Sequence, residues 1–219
     1  MPLLYPIMLR LEGRSCVIVG GGAVAARKVD RLLSAGAQVT VISPVLYPAL
    51  ELLAETQKIT VQQTAYEVGM LAALHPLLVF AATDDPTVNQ QVADEARSLG
   101  ALVNGVDEQQ GDRDFMSMAT VQRGDITVAV SLGGASPALV AHLQRQIDKA
   151  IGEEYVTLAG WMAEARPKIQ AEVESQSERA AVWRRVLESS ILDKLRQGDL
   201  ETARQQFDDI IQEALDQST

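Results

Sequence analysis

Residues 15–28, with the sequence SCVIVGGGAVAARK, decide the fold of this chain. Three consecutive β-branched residues at 17–19 are followed directly by Gly20, Gly21 and Gly22, and then by a segment rich in helix-forming residues. β-Branched residues favour buried strands, and glycines permit the backbone conformations of tight turns. The stretch therefore predicts a strand, a sharp turn and the N-terminus of a helix.

The three glycines and the following alanines fit a dinucleotide-binding turn. Gly20, Gly22 and Ala25 match the spacing G-x-G-x-x-A, in which the first glycine permits the turn and the second lets the backbone approach a pyrophosphate. The backbone N–H groups of the first helical turn, around Ala23 and Val24, would face the phosphates. The alternative is a glycine-rich turn that binds nothing. The strand before the turn and the amphipathic helix after it favour the binding site.

The composition indicates a folded protein with a sizeable core. The chain has 219 residues, of which 47% are hydrophobic, so we expect one full domain and a smaller one. Its formal net charge of −10 argues against nucleic acid or an anionic membrane as a partner, because both require a basic surface. The single cysteine, Cys16, excludes a disulfide within the chain. We expect neither a signal peptide nor a membrane span, and hence a cytoplasmic protein.

Strand and helix patterns alternate along the first half of the chain. Strands are predicted at 5–11, 17–19, 39–42, 59–62, 77–82 and 102–106, and helices at 23–35, 49–55 and 86–99. This alternation predicts an α/β fold with a parallel, doubly wound sheet of the Rossmann type. We expect Gly36 to end the first helix, whose buried face includes Val24, and Asp85 to cap the third helix with Pro86 at its first position.

The second half of the chain has a different pattern. Two further strands are predicted at 115–121 and 126–131, and helical periodicity then runs from Ser136-Pro137 almost to the end. Residues 108–114 are polar, and their pattern fits either a loop over the site or a linker. The sequence leaves these two alternatives open.

Ligands of an open α/β sheet bind beyond the carboxyl ends of its strands. The residues predicted at those ends are therefore the candidate site residues, and they are Gly20–Val24, Ser43, Pro44, Thr83, Asp84, Asp85 and Asn104–Asp107. A carboxylate such as Asp107 at a strand end can take a proton from a substrate, although a solvated turn residue is the alternative. The two histidines fit no metal or triad pattern, so no metal site is predicted.

The end of the second strand departs from the usual dinucleotide fingerprint. An acidic residue commonly binds the ribose there, whereas this chain has Ser43 and Pro44. The next basic residue is Lys58, so no site for the 2′-phosphate of NADP is visible. If a dinucleotide binds, the sequence favours NAD.

Five separated segments together resemble one known family. They are LYPIMLRLEGRSCVIVGGGAVAARKV, VTVISP, AATDDPTVNQQV, VNGVD and VAVSLGGASP, and the likeness they carry spans about residues 3–139. In this combination and order they are similar to the NAD-dependent precorrin-2 dehydrogenases, which occur as separate enzymes and as N-terminal modules of siroheme synthases. The serine-proline strand end that departs from the general fingerprint matches the pattern of this family.

The resemblance implies oxidation of precorrin-2 to sirohydrochlorin, with NAD taking the hydride. It implies that Ala23, Val24, Pro44 and Val45 line the dinucleotide and that Asp107 is the general base. Some relatives also insert ferrous iron into sirohydrochlorin, with the same aspartate implicated. The candidate cofactor-binding set is accordingly Gly20, Gly21, Gly22, Ala23, Val24, Ser43, Pro44, Val45, Thr83, Asp84 and Asn104.

The resemblance also has implications for the domains and the oligomeric state of the protein. It implies a homodimer, and we expect a NAD-binding domain at 1–112, a dimerisation region at 113–150 and a helical domain at 151–219. One feature departs from the family: Leu132 stands where one branch has a phosphorylatable serine. We also expect no methyltransferase domain of the kind that the fused forms have.

A substrate with many carboxylates requires cations near the cleft. Candidates are Arg27, Lys28, Arg113 and Arg123. Two other functions stay open from the residues: a non-catalytic module that senses NAD or NADH, which would not need Asp107, and a methyltransferase, which the missing acid after the second strand disfavours.

Overall fold

The computed structural model describes residues 4–105 and 113–217, which form two compact units divided between Ser117 and Met118. The first unit is a parallel sheet flanked by helices, and the second is a β-hairpin followed by helices. The predicted α/β Rossmann-type fold with a helical region after it is therefore confirmed.

The first unit is built on five parallel strands. They are β1 (Ser15–Val19), β2 (Gln38–Ile42), β3 (Thr60–Gln62), β4 (Leu78–Ala81) and β5 (Leu102–Gly105), with helices α1 (Ala23–Ser34), α2 (Pro48–Glu55) and α3 (Pro86–Ser98). The strand order is β3-β2-β1-β4-β5, so the order reverses between β1 and β4. Val19 pairs with Ile42 and with Ala81, and Ala81 pairs with Gly105. The carboxyl ends of four strands thus align at one edge, where a ligand crevice is expected.

Both faces of this sheet are buried, which explains why its strands have continuous apolar sequences. Cys16 and Ile18 point into a core shared with α1 and α2, whereas Val17 and Val19 point into a core shared with α3. Ala25 of α1 is fully buried in the first of these cores. A small residue at this position lets the helix lie close to the sheet, as the glycine motif predicted.

The predicted helix boundaries are confirmed where a specific residue sets them. Gly36 follows α1 with a φ of 76°, a left-handed conformation that glycine adopts without strain. Asp85 precedes α3, and its Oδ1 accepts a hydrogen bond of 2.8 Å from the backbone N–H of Thr87, with Pro86 at the first helical position.

Three local expectations are wrong. Residues 4–11 form no strand, because Pro6 lacks an N–H and nearly all of their side chains face solvent, with Tyr5 87% exposed. Val24 is exposed rather than buried, because Ala25, Val29 and Leu32 form the buried face of α1. The strand predicted from residue 115 begins at Ala119, because Phe115 instead packs edge-on against Phe80.

The second unit begins with an antiparallel hairpin and continues as helices. Its elements are β6 (Ala119–Arg123), β7 (Ile126–Val130), α4 (Pro137–Ala150), α5 (Glu153–Glu172), α6 (Gln176–Glu188), α7 (Ile191–Arg196) and α8 (Leu200–Asp216). Ile169, Ile191 and Phe207 lie at the centre of its apolar core, and the ring of Trp161 lies 5.7 Å from that of Phe207. In contrast, α4 has no buried residue within the described single chain. None of the described helices is both long and apolar enough to cross a membrane.

Candidate functional site

The glycine turn after β1 is held against the ends of two neighbouring strands. Gly20 has a φ of 114°, and a Cβ on it would lie 2.2 Å from the carbonyl oxygen of Ala82, which follows β4. A Cβ on Gly21 would lie 2.2 Å from the carbonyl oxygen of Val45, which follows β2. Both positions are therefore limited to glycine by backbone packing, and the turn sits at the point where the strand order reverses.

Gly22 differs from its two neighbours because it faces open space. A Cβ on Gly22 would meet no atom of the described chain within 4 Å, and its φ of −79° is ordinary. Gly22 is the N-cap of α1, where the described chain places no side-chain cap and no acidic residue in the first turn. Unpaired N–H groups and the positive end of the helix dipole favour an anion at such a position. The turn therefore has the space and the polarity that a pyrophosphate requires.

The segment after β2 borders this turn. The Tyr47 N–H donates to the Gly21 carbonyl at 2.7 Å, and the buried Ser43 hydroxyl donates to the Val45 carbonyl at 2.7 Å. Val45 is 74% exposed, and Pro44 is also exposed. Ser43 thus shapes the segment, while Pro44 and Val45 present apolar surface beside the glycines.

The segment after β4 is held in place by Asn89, which sequence reasoning did not identify. Asn89 of α3 is buried, and its Oδ1 accepts from both the N–H and the hydroxyl of Thr83, at 3.1 and 2.8 Å. Its Nδ2 donates back to the Thr83 carbonyl at 3.0 Å. Asp84, next to this network, is exposed. Asn89 therefore fixes the loop that carries two predicted site residues, and its only sequence signal is an amide at the fourth position of a capped helix.

Asn104 lies near the end of β5, where the sequence placed it, but its side chain already has partners. It is 6% exposed, its Oδ1 accepts from Lys28 Nζ at 2.8 Å, and its Nδ2 donates to the Phe115 carbonyl at 2.8 Å. The Lys28 ammonium also lies 4.6 Å from the centre of the Phe80 ring. The predicted cofactor contact of Asn104 stays a prediction.

The structure places three of the four predicted cations in the first unit. Burial, followed by the charges of Arg113, Arg31 and Arg27, lowers the pKa of the Lys28 ammonium to about 8. These groups thus form a local concentration of positive charge in an acidic chain. Arg123 lies in the second unit, where its guanidinium donates to Asp148 at 2.6 Å.

Three other candidate groups were considered from the sequence: a general base, a thiol and a metal site. Asp107, the predicted base, lies outside the described residues. Burial raises the pKa of the Cys16 thiol to about 11, which disfavours the nucleophilic thiolate. In the described ranges 4–105 and 113–217, no three histidine, cysteine or acidic side chains are grouped as a metal site requires.

Comparisons with known proteins agree with this geometry. Residues 7–117 match the family model described as "Putative NAD(P)-binding", and residues 154–211 match the "Sirohaem synthase dimerisation region". The chain belongs to the NAD(P)-binding family of siroheme synthases and precorrin-2 dehydrogenases. The match to a nicotinamide dinucleotide family does not distinguish NAD from NADP.

Two siroheme synthases align with most of this chain. The siroheme synthase of Nitrosococcus oceani is 38% identical over 198 residues, which are 90% of this chain and 42% of that protein. The siroheme synthase of Chromobacterium violaceum is 35% identical over 93% of this chain and 43% of its own length. This chain therefore spans less than half the length of these curated relatives. The solved structure of SirC, a precorrin-2 dehydrogenase, has 25% identity and a TM-score of 0.73, and the match covers 94% of this chain and all of SirC.

Proposed function

We propose that this chain oxidises precorrin-2 to sirohydrochlorin with a nicotinamide dinucleotide as oxidant. The observation that carries the proposal is the glycine turn at the edge where the strand order reverses, in which Gly22 opens onto space at the N-terminus of α1. The likeness to SirC supports it, because that match extends over both units of this chain and over the whole of a precorrin-2 dehydrogenase.

The residues around the glycine turn fit a dinucleotide. The first turn of α1, at Gly22, Ala23 and Val24, would hold the pyrophosphate through backbone N–H groups, while Pro44 and Val45 would contact the adenosine half. The remaining predicted contacts of the cofactor are Gly20, Gly21, Ser43, Thr83, Asp84 and Asn104. When bound, the dinucleotide supplies a nicotinamide ring that accepts a hydride. We propose NAD as the physiological form.

Dehydrogenation removes a proton as well as a hydride, so the protein must provide a base. We propose Asp107, which follows β5 by two residues in the sequence. The carboxyl ends of β1, β4 and β5 lie side by side, so the chain leaves β5 beside the strand ends that border the cofactor turn, which supports a base that follows β5 in the sequence. The same carboxylate would accept pyrrole protons if ferrous iron is a second substrate.

Substrate carboxylates are proposed to bind Arg27 and Arg113 of the first unit. Arg27 is exposed on α1, and Arg113 is close enough to Lys28 to lower the pKa of its ammonium. Guanidinium groups bind carboxylates through paired hydrogen bonds, so these two arginines suit a substrate that carries many carboxylates.

We also propose a homodimer that uses the second unit. Helix α4 is amphipathic yet has no buried residue within the described chain, and Leu139 on it is 46% exposed. An apolar helix face left open in one chain is typical of a subunit interface. The name of the family model that matches residues 154–211 refers to dimerisation and supports this assembly.

The experiment is a spectroscopic assay of the purified chain with precorrin-2 and NAD, with and without ferrous iron. Formation of NADH together with sirohydrochlorin supports the proposal, and siroheme formed on iron addition would add the second reaction. Tight NAD binding without turnover of precorrin-2 would contradict it and favour a sensor of the dinucleotide.

A further inference from the structure

Lys28 and Asn104 link three separate parts of the first unit. The Lys28 ammonium on α1 donates to Asn104 Oδ1 at 2.8 Å, and Asn104 Nδ2 on β5 donates to the Phe115 carbonyl at 2.8 Å. The donor and acceptor of the first bond are 76 residues apart in the sequence. The amide of Asn104 is buried, so its two hydrogen bonds are protected from competing water.

Segment 113–115 runs beside β5, and further backbone contacts hold it there. Arg113 lies opposite Asn104 in an antiparallel bridge. The Asp114 N–H donates to the Val103 carbonyl at 2.8 Å, and Asp114 Oδ2 accepts from the Val103 N–H at 2.9 Å. The chain that leaves β5 after Gly105 and the chain that returns at Arg113 are therefore held side by side.

The lysine in this link is costly for the fold. Its ammonium is half-buried over the Phe80 ring, and the charged groups that act on it most strongly are the arginines Arg113, Arg31 and Arg27. Burying a cation among like charges destabilises a protein, whereas an apolar side chain of similar length would fill the same volume without that cost. Side chains that destabilise the fold in this way are concentrated at functional positions.

We propose that Lys28 is a positioning residue for the dehydrogenation, acting by orienting the Asn104 amide that ties the end of β5 to segment 113–115. This inference rests on the proposed function, in which Asp107, three residues after Asn104 in the sequence, takes the proton. A general base must lie within hydrogen-bond reach of its proton, and a misplacement of about 1 Å costs up to roughly 100-fold in rate. Loosening the backbone anchor before Asp107 therefore lowers turnover without touching the cofactor turn.

The test compares Lys28→Met with Arg31→Met in the full chain. Arg31 is exposed one turn further along α1, so its variant removes the same charge and leaves the bond to Asn104 in place. For each protein, NADH formation gives kcat and KM for precorrin-2, calorimetry gives the Kd for NAD, and hydrogen–deuterium exchange follows peptides covering 102–105 and 113–117.

For Lys28→Met at saturating NAD we expect a decrease in kcat of about tenfold, with KM for precorrin-2 changed less than about twofold. Exchange in both peptides should be faster than in the wild type. Arg31→Met should match the wild type in kcat and in exchange. If Lys28→Met does not fold, Lys28→Gln provides the same comparison, because its shorter, uncharged side chain cannot make the ammonium bond to Asn104.

Each other outcome overturns the inference in a distinguishable way. Unchanged exchange in Lys28→Met would show that the link does not hold the two segments, and faster exchange with unchanged kcat would make it merely structural. A raised KM for precorrin-2 at unchanged kcat would make Lys28 a substrate-binding residue. A wild-type chain that forms no NADH from precorrin-2 would refute the proposed function and with it the positioning role, while the exchange data would still report on the link.

Discussion

The Ser43 hydroxyl donates to the carbonyl oxygen of Val45 across 2.7 Å, beside the glycine turn at the end of β2. The bond turns the buried Ser43 inward and leaves Val45 74% exposed at the rim. No lysine or arginine occurs between Gln38 and Gln57 in the sequence. A dinucleotide bound at the glycine turn would therefore meet apolar surface on this segment but no positive charge.

From this we predict a preference for NAD over NADP. The ratio of kcat/KM should favour NAD by at least about tenfold, because an extra phosphate would meet no charged partner there. Val45→Arg should reduce this ratio, whereas Val68→Arg, which adds the same charge at an exposed site on the crossover between β3 and β4, should not. Comparable kcat/KM values for both cofactors in the wild type would refute the prediction.

A second prediction concerns Gly22→Asp. The fold should be retained, because Gly22 has an ordinary φ and open space around it, and aspartate is a favourable helix N-cap. NAD binding should become undetectable by calorimetry, because the new carboxylate would occupy the anion position.

Gly22→Asn is the matched control for this substitution. It has nearly the same size and capping ability without the charge, so it should bind NAD more tightly than the aspartate variant. A folded Gly22→Asp protein with wild-type affinity for NAD would show that the pyrophosphate does not bind at this turn.

The lowered pKa of Lys28 predicts a pH dependence of stability. Between about pH 8, the pKa in the folded protein, and about pH 10.5, the ordinary value, the folded state binds fewer protons at Lys28 than the unfolded state. The contribution of Lys28 to the free energy of unfolding therefore rises with pH over this range. Denaturant unfolding of the wild type and Lys28→Met at pH 7 and pH 9.5 measures it. The free energy of unfolding of the wild type, relative to that of Lys28→Met, should be larger at pH 9.5 than at pH 7. An equal difference at both pH values would contradict the prediction.

The proposed homodimer gives a prediction for α4. Light scattering at micromolar concentration should report a dimer, and Leu139→Asp should weaken it because a charge would enter an apolar interface. Leu52→Asp is the control, since Leu52 is 61% exposed on α2 of the first unit. A monomeric wild type, or equal dissociation of both variants, would refute this interface.

The sequence predicted most of the first unit because its signals are local. The apolar run before three glycines and the Asp85-Pro86 cap each act over a few residues, and each produced the expected element. The strand expected at 5–11 did not form because an apolar segment needs a partner strand, and β3 rather than this segment forms the sheet edge beside β2.

Contacts between distant residues could not be predicted in the same way. The bond between Lys28 and Asn104 depends on how α1 packs on the sheet, and the role of Asn89 depends on the direction of a single side chain. Composition predicts Phe115 in a strand, whereas its packing against Phe80 places it in the first unit. These features arise from tertiary structure, which overrides local propensity.

The central claim is that Asp107 takes a proton from precorrin-2 while a hydride leaves to NAD. The most direct measurement is NADH formation from precorrin-2 by the wild type, Asp107→Ala and Asp107→Asn, with Asp94→Ala, an exposed carboxylate of α3, as the control. We expect an active wild type and control, and a decrease in kcat of roughly 10² to 10⁴ in both Asp107 variants with Kd for NAD unchanged. Near-normal NADH formation by a folded Asp107→Ala protein would contradict it.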